Sequence, residues 1–176
     1  MTLVTERLIL RKLEATDANR IEKLAGDYEV AKTTLNIPHP YPEGSAVAFI
    51  HIALESERTG KLTTRAIIEK ETNELIGLMA ISIHSTFNRG ELAYWVGKPY
   101  WGQGYGTEAA RALLQYGFEV LRLNRIYAQS FTTNPGSWRI MEKIGLKYEG
   151  TLRQHAARFG EYYDLAQYGI LKEEFN

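Results

Sequence analysis

Gly102-Gln103-Gly104-Tyr105-Gly106 stands directly before Thr107–Leu121, the stretch with the clearest helical stripe in the chain. Its apolar residues Ala109, Ala110, Leu113, Leu114, Phe118 and Leu121 recur at helical spacing. Glycines let a backbone take unusual dihedral angles and come close to a ligand. The start of a helix offers unpaired amide hydrogens at the positive end of its dipole, so the pair suits a phosphate group. Each dipole contact is worth only about 0.3–1 kcal/mol when exposed, so binding needs several amides and other parts of the ligand. Two familiar phosphate loops are excluded. The Walker pattern requires a lysine after its second glycine, and no such lysine exists here. The dinucleotide pattern places a third glycine where Thr107 stands, and puts its turn early in a βαβ unit, whereas antiparallel strands precede this one. A turn that only joins a strand to a helix is the plain alternative.

Composition narrows the classes around that turn. Lys plus Arg equals Asp plus Glu, at 21 each, so no net field draws nucleic acid or anionic lipid to this chain. There is no cysteine, which rules out disulfides, thiolate nucleophiles and cysteine-held metal. His39, His51, His84 and His155 lack metal-ligand spacing, and no metal is expected. The first seven residues hold no basic region feeding an apolar stretch, and no apolar run approaches the ~20 residues of a membrane span. The expectation is a soluble, cytoplasmic protein whose residues 1–176 form one domain, with no membrane or nucleic-acid partner.

The elements that must carry the turn follow from periodicity. A strand is expected at Arg7–Leu13 and a helix at Asp17–Ala25. Prolines 38, 40 and 42 make a stiff loop before a helix at Ser45–Arg58. Thr63–Glu69 and Leu75–Ile83 form a hairpin around Asn73, and Glu91–Val96 is the next strand. After the glycine turn and its helix come a strand at Arg125–Phe131 and a helix opened by Asn134-Pro135, a good N-cap followed by a proline suited to the first helical position. Leu146–Leu152 and Tyr162–Leu171 complete the chain as two strands. The fold class is α/β (α+β): a mixed, mostly antiparallel sheet of about seven strands flanked by about four helices.

Set in this order, Pro99–Ala109 resembles the acetyl-coenzyme A motif [Q/R]-x-x-G-x-[G/A] of the GNAT N-acetyltransferases, with Gly104 and Gly106 in its last two places. Trp101 stands where the first polar residue is usual, as in the branch resembling RimJ and RimL, the ribosomal-protein N-terminal acetyltransferases. Thr5–Arg11, Asn134–Ser137, Glu142–Leu146, Glu149–Arg153 and Tyr163–Leu165 are similar to that branch, so the resemblance spans nearly the whole chain. It implies a splayed parallel pair, Glu91–Val96 and Arg125–Phe131, with pantetheine in the gap against the backbone of Trp95 and Val96. It also implies pyrophosphate on the amides of Gly102, Gln103, Gly104, Tyr105, Gly106 and Thr107, and Asn134 bonded to the pantetheine arm.

The implied reaction is acetyl transfer from acetyl-CoA, a cosubstrate, to a primary amine. Glu91 matches the position of the catalytic glutamate in several family members and is the candidate general base, its pKa expected to rise with partial burial. Many members protonate the thiolate with a tyrosine seven residues after the asparagine. Here that residue is Met141, and Ser137 is the substitute. The acceptor is expected to be a protein N-terminal α-amine, bounded by loop Leu35–Gly44 with Tyr41, by the hairpin Arg153–Tyr163, and by Tyr94 and Trp95. Alternatives are a small amine (polyamine, amino acid or aminoglycoside), for which Glu43, Glu55, Glu57 and Glu161 could supply carboxylates, or a non-catalytic acyl-CoA sensor. Oligomeric state stays open between monomer and homodimer.

Overall fold

The computed structural model describes residues 1–175. Its elements run β1 (Leu3–Val4), β2 (Leu8–Arg11), α1 (Ala18–Ala25), α2 (Tyr28–Ala31), α3 (Ser45–Arg58), β3 (Leu62–Glu69), β4 (Glu74–His84) and β5 (Arg89–Val96). Then follow α4 (Tyr105–Glu119), β6 (Arg125–Phe131), α5 (Pro135–Lys143), β7 (Lys147–Arg158) and β8 (Glu161–Leu171). The strands form one sheet in the order β1-β2-β3-β4-β5-β6-β8-β7. Every neighbouring pair is antiparallel except β5 and β6, which run parallel because α4 carries the chain back between them.

The two faces of the sheet are buried by different helices. Leu8, Leu10, Ile67, Ile81 and Leu92 pack with Ala109, Ala110, Leu113, Leu114 and Phe118 of α4 and Met141 of α5. On the other face Ala66, Ile68, Leu75 and Leu78 meet Ile21 and Leu24 of α1 and Ala46, Ile50 and Ala53 of α3. Alternation along the strands makes this division, and a register shift between Ile67 and Ile68 accommodates an extra residue of β4 near Ile76. Near its C-terminal end α4 lies so close to the sheet that a Cβ on Gly117 would stand 2.5 Å from Ile126 Cδ1. This contact presses the helix onto the start of β6 and leaves its N-terminus at the end where β5 and β6 part.

Expected and observed elements differ in ways with local causes. The helix expected from Thr107 begins at Tyr105, because Gly104 adopts a left-handed conformation (φ 83°) and serves as its N-cap. The last two strands run on into a long hairpin, since Gln154 at φ 47° and two register shifts let β7 bend and continue. β1 and α2, of two and four residues, are too short to leave a periodic signal. No helix among the described residues is long and apolar enough to cross a membrane.

Candidate active site

β5 and β6 stay paired only from Arg89 to Glu91, against Arg125 to Tyr127. Beyond that point β5 follows β4 to Val96 while β6 follows β8 to Phe131. A cavity of about 420 Å³ opens in the resulting V, lined by both strands, by α5 and by the loop after α2. Beyond Glu91 the edge of β5 toward β6, including Trp95 and Val96, has no strand partner among the described residues. The Val96 carbonyl accepts the Trp101 indole N–H at 2.6 Å and keeps a second lone pair. The aromatic that replaces the motif's polar residue thus still makes a polar contact, tying the turn to the end of β5.

The glycine turn lies at the open end of the V. Gly102 and Gly104 have φ of 73° and 83°, a region that costs other residues energy. The first amide of α4 to find a helical carbonyl is that of Glu108, which donates to Gly104 at 3.0 Å. The amides of Tyr105, Gly106 and Thr107 are therefore left without an intrahelical partner. Gly106 itself is buried, and a Cβ there would stand 2.8 Å from Ile140 Cδ1, so its bareness lets α5 pack across α4. Behind the turn, the Glu108 carboxylate accepts from Thr5 Oγ1 (2.6 Å), from the Arg7 amide (2.8 Å) and from Arg7 Nε (2.7 Å). Arg7 Nη1 donates onward to the Gln103 carbonyl at 2.8 Å. Burial alone would raise the pKa of Glu108, but the hydrogen bonds from Thr5 and Arg7 outweigh it and hold the carboxyl below its ordinary value. The turn between β1 and β2 thereby clasps the glycine turn from outside.

Glu91 and Ser137 approach the cavity from opposite faces of the sheet. Glu91 shares its face with Ala93 and Trp95, toward α1 and α3, and its Oε2 accepts the Tyr127 hydroxyl at 3.1 Å. Burial, and then the nearby Glu91 charge, raise the pKa of Tyr127, so the phenol stays a donor. Glu91 keeps its second oxygen for another proton. On the opposite face the Ser137 hydroxyl donates to Tyr94 Oη at 3.2 Å, while Tyr94 donates to the Ser137 carbonyl at 2.8 Å. Burial raises the pKa of Tyr94 far above that of a free phenol, so it positions Ser137 as a neutral group. Met141 lines the same cavity, 1% exposed, with no proton to give.

Asn134 caps α5, its Oδ1 accepting the Ser137 amide at 3.3 Å. Its Nδ2 makes only a long contact to the Thr33 carbonyl, 3.4 Å, and is free to exchange that carbonyl for another. Thr33, Thr34, Asn36, Ile37 and Tyr41 form one wall of the cavity. The β7–β8 hairpin braces this wall from behind: Arg158 donates to the carbonyls of Ala31 (3.1 Å) and Ile37. Phe159 at its tip packs on Tyr28 with ring centroids 5.7 Å apart. The hairpin thus supports the loop, and its Phe159, Glu161 and Tyr163 line an adjoining hollow with Thr33, Phe131 and Asn134.

The four glutamates considered for a polycationic acceptor do not converge. Glu55 pairs with Arg58 and Glu57 with Arg65 and Lys12. Glu161 borders the adjoining hollow, which shares Thr33 and Phe131 with the cavity, and Glu43 is exposed in the loop before α3. Tyr127, Tyr94 as partner of Ser137, and the Glu108 clasp are functional-site features that sequence reasoning missed. The Thr5–Arg7 run gave the only local hint, as part of a family cue.

Comparison with known proteins agrees with this geometry. The model of an acetyltransferase (GNAT) domain matches residues 7–147. An uncharacterised N-acetyltransferase, p20, of Bacillus licheniformis is 34% identical over 175 residues, spanning 99% of this chain and 98% of that protein. The spermidine N(1)-acetyltransferase of Escherichia coli (strain K12) is 27% identical over 168 residues, 94% of this chain and 87% of that protein. Among solved structures, RimL, a ribosomal L7/L12 α-N-protein acetyltransferase in complex with coenzyme A, shares the fold at a TM-score of 0.90 and 17% identity, covering 97% of this chain and 98% of that one. The chain belongs to the GNAT acetyltransferase family.

Proposed function

We propose that this acetyltransferase moves the acetyl group of acetyl-CoA onto an α-amine, with the N-terminus of a polypeptide as the acceptor that fits best. One observation carries the reading: among the described residues that line the cavity, Glu91 is the one charged side chain. A polyamine or aminoglycoside holds several positive charges, and burying them without carboxylate partners is costly. An α-amine presents one. Its pKa of about 7.7–8.0 leaves about a tenth neutral at pH 7, against fewer than one in a thousand for a lysine, so one carboxylate suffices as base. The spermidine-acetylating relative is the reason to test polyamines beside peptides.

The residues present fit acetyl-CoA. The free amides of Tyr105, Gly106 and Thr107, with the turn Gly102–Gly104, would hold the pyrophosphate, and Trp95, Val96 and Asn134 the pantetheine arm. Bound there, acetyl-CoA supplies an activated acyl group with a thiol as leaving group. Glu91 takes a proton from the amine at its free oxygen, and Tyr127 orients the carboxylate for this. Ser137 offers its hydroxyl proton on the far side of the gap, oriented by Tyr94. Such a division suits a catalyst, and a non-catalytic sensor has no use for it.

The Glu108 clasp gives a prediction about the donor alone. In Glu108→Ala three hydrogen bonds are lost and the turn is loosened, so the Kd for acetyl-CoA should rise about five- to tenfold, read by titration calorimetry. An unchanged Kd would show that the turn holds its shape without the clasp. The reading as a whole is tested by thiol release from acetyl-CoA across peptides, amino acids, spermidine and an aminoglycoside. Peptide N-termini should give the highest kcat/KM, and a preference for spermidine would overturn it.

A further inference from the structure

The floor of the acceptor side holds a polar group that the reaction does not use. Thr64 lies on β3, opposite Ala80 of β4, which in turn lies opposite Ala93 of β5. All three line the cavity on the face shared with Glu91, and the two residues between β3 and the gap at this register are alanines, the smallest side chains available there. Thr64 is 3% exposed, and its Oγ1 is buried with no hydrogen-bond partner among the described residues. A hydroxyl left so is costly to the free protein, and it both donates and accepts. Two strand spacings put it roughly 10 Å across the sheet from β5. Ser130, whose hydroxyl also lacks a partner, belongs to the opposite face with Ala128 and α5, so it does not share this position.

We propose that Thr64 determines acceptor specificity: its hydroxyl pairs with an uncharged hydrogen-bonding group, a hydroxyl or an amide, carried several bonds away from the reacting amine. This rests on the α-amine reading above and narrows it to acceptors that are polar but singly charged. A site that hydrogen-bonds its substrate rejects analogues lacking the group, because its own polar atom is then left unpaired.

The test compares Thr64→Val, close in shape but without the hydroxyl, with the unsubstituted protein on three acceptors: a tripeptide amide beginning with Ser, its counterpart beginning with Ala, and propargylamine, a weakly basic amine that carries neither hydroxyl nor amide. The variant should lose about ten- to a hundredfold in kcat/KM on the peptides while staying within about twofold on propargylamine. A loss confined to the Ser peptide identifies the side-chain hydroxyl as the group read, and an equal loss on both identifies the backbone amide. Thr64→Ser should restore the peptide rates. The Tm should not fall in Thr64→Val, since the hydroxyl has no partner in the fold to lose. Equal kcat/KM for variant and unsubstituted protein on all three acceptors, or an equal loss on all three, overturns the proposal. Absence of turnover by the unsubstituted protein on every acceptor overturns both readings, whereas turnover independent of Thr64 overturns this one alone.

Discussion

In Glu91→Gln, kcat falls by about 10²–10⁴ while the Kd for acetyl-CoA stays unchanged. The amide has the shape of the carboxylate and its oxygen can still accept from Tyr127, so the geometry of β5 is kept. What is lost is the one charged group among the described residues of the cavity lining, and with it the carboxylate that takes a proton from the amine in this account. The pH profile carries a second signature. Without a base, the variant depends on amine that solution has already deprotonated. Its rate should therefore climb through the amine's own pKa, about 7.7–8.0, and level off above it. Stopped-flow thiol release over a pH series reads both effects. Turnover like that of the unsubstituted protein would remove Glu91 from the mechanism.

Ser137→Ala has the next largest expected effect, a fall in kcat of about 10², the lower end of what a positioned proton donor contributes. The substitution removes one hydroxyl from the first turn of α5 and leaves intact both the Asn134 cap, which accepts from the Ser137 amide, and the Tyr94 bond to the Ser137 carbonyl. The fold therefore has little to lose, and acetyl-CoA affinity should hold. Ser137→Thr, which keeps a hydroxyl, should recover most of the rate. If Ser137→Ala reduces acetyl-CoA affinity as much as turnover, the hydroxyl is a binding group and not the proton source.

What the sequence made legible is what depends on near neighbours. α3 and β6 have the expected bounds because their patterns are uninterrupted. The glycine turn, Asn134 and Ser137 each sit in a short run whose residue types announce a helix start. Glu91 was singled out by the family resemblance together with its place in the strand that leads into the turn, and it lies in the cavity lining. The features that escaped join distant parts of the chain. Tyr127 meets Glu91 across 36 residues, Tyr94 meets Ser137 across 43, and Arg7 meets Glu108 across 101. The register of β5 against β6 brings the first pair together, and the packing of α5 and α4 on the sheet brings the other two. The carboxylates considered for a polyamine site show the converse: Glu55 and Glu57 lie in the last turn of α3, at the far end from its preceding loop, and each is taken up by an arginine.

The division of labour across the V-shaped gap, one carboxylate serving one weakly basic amine, is tested most directly by where the acetyl group lands. The protein should be incubated with acetyl-CoA at pH 7 and a peptide that carries both a free N-terminus and an internal lysine, and the product sequenced by tandem mass spectrometry. The account predicts acetyl on the α-amine with the lysine untouched. Acetyl on the lysine, or equally on both, would contradict it.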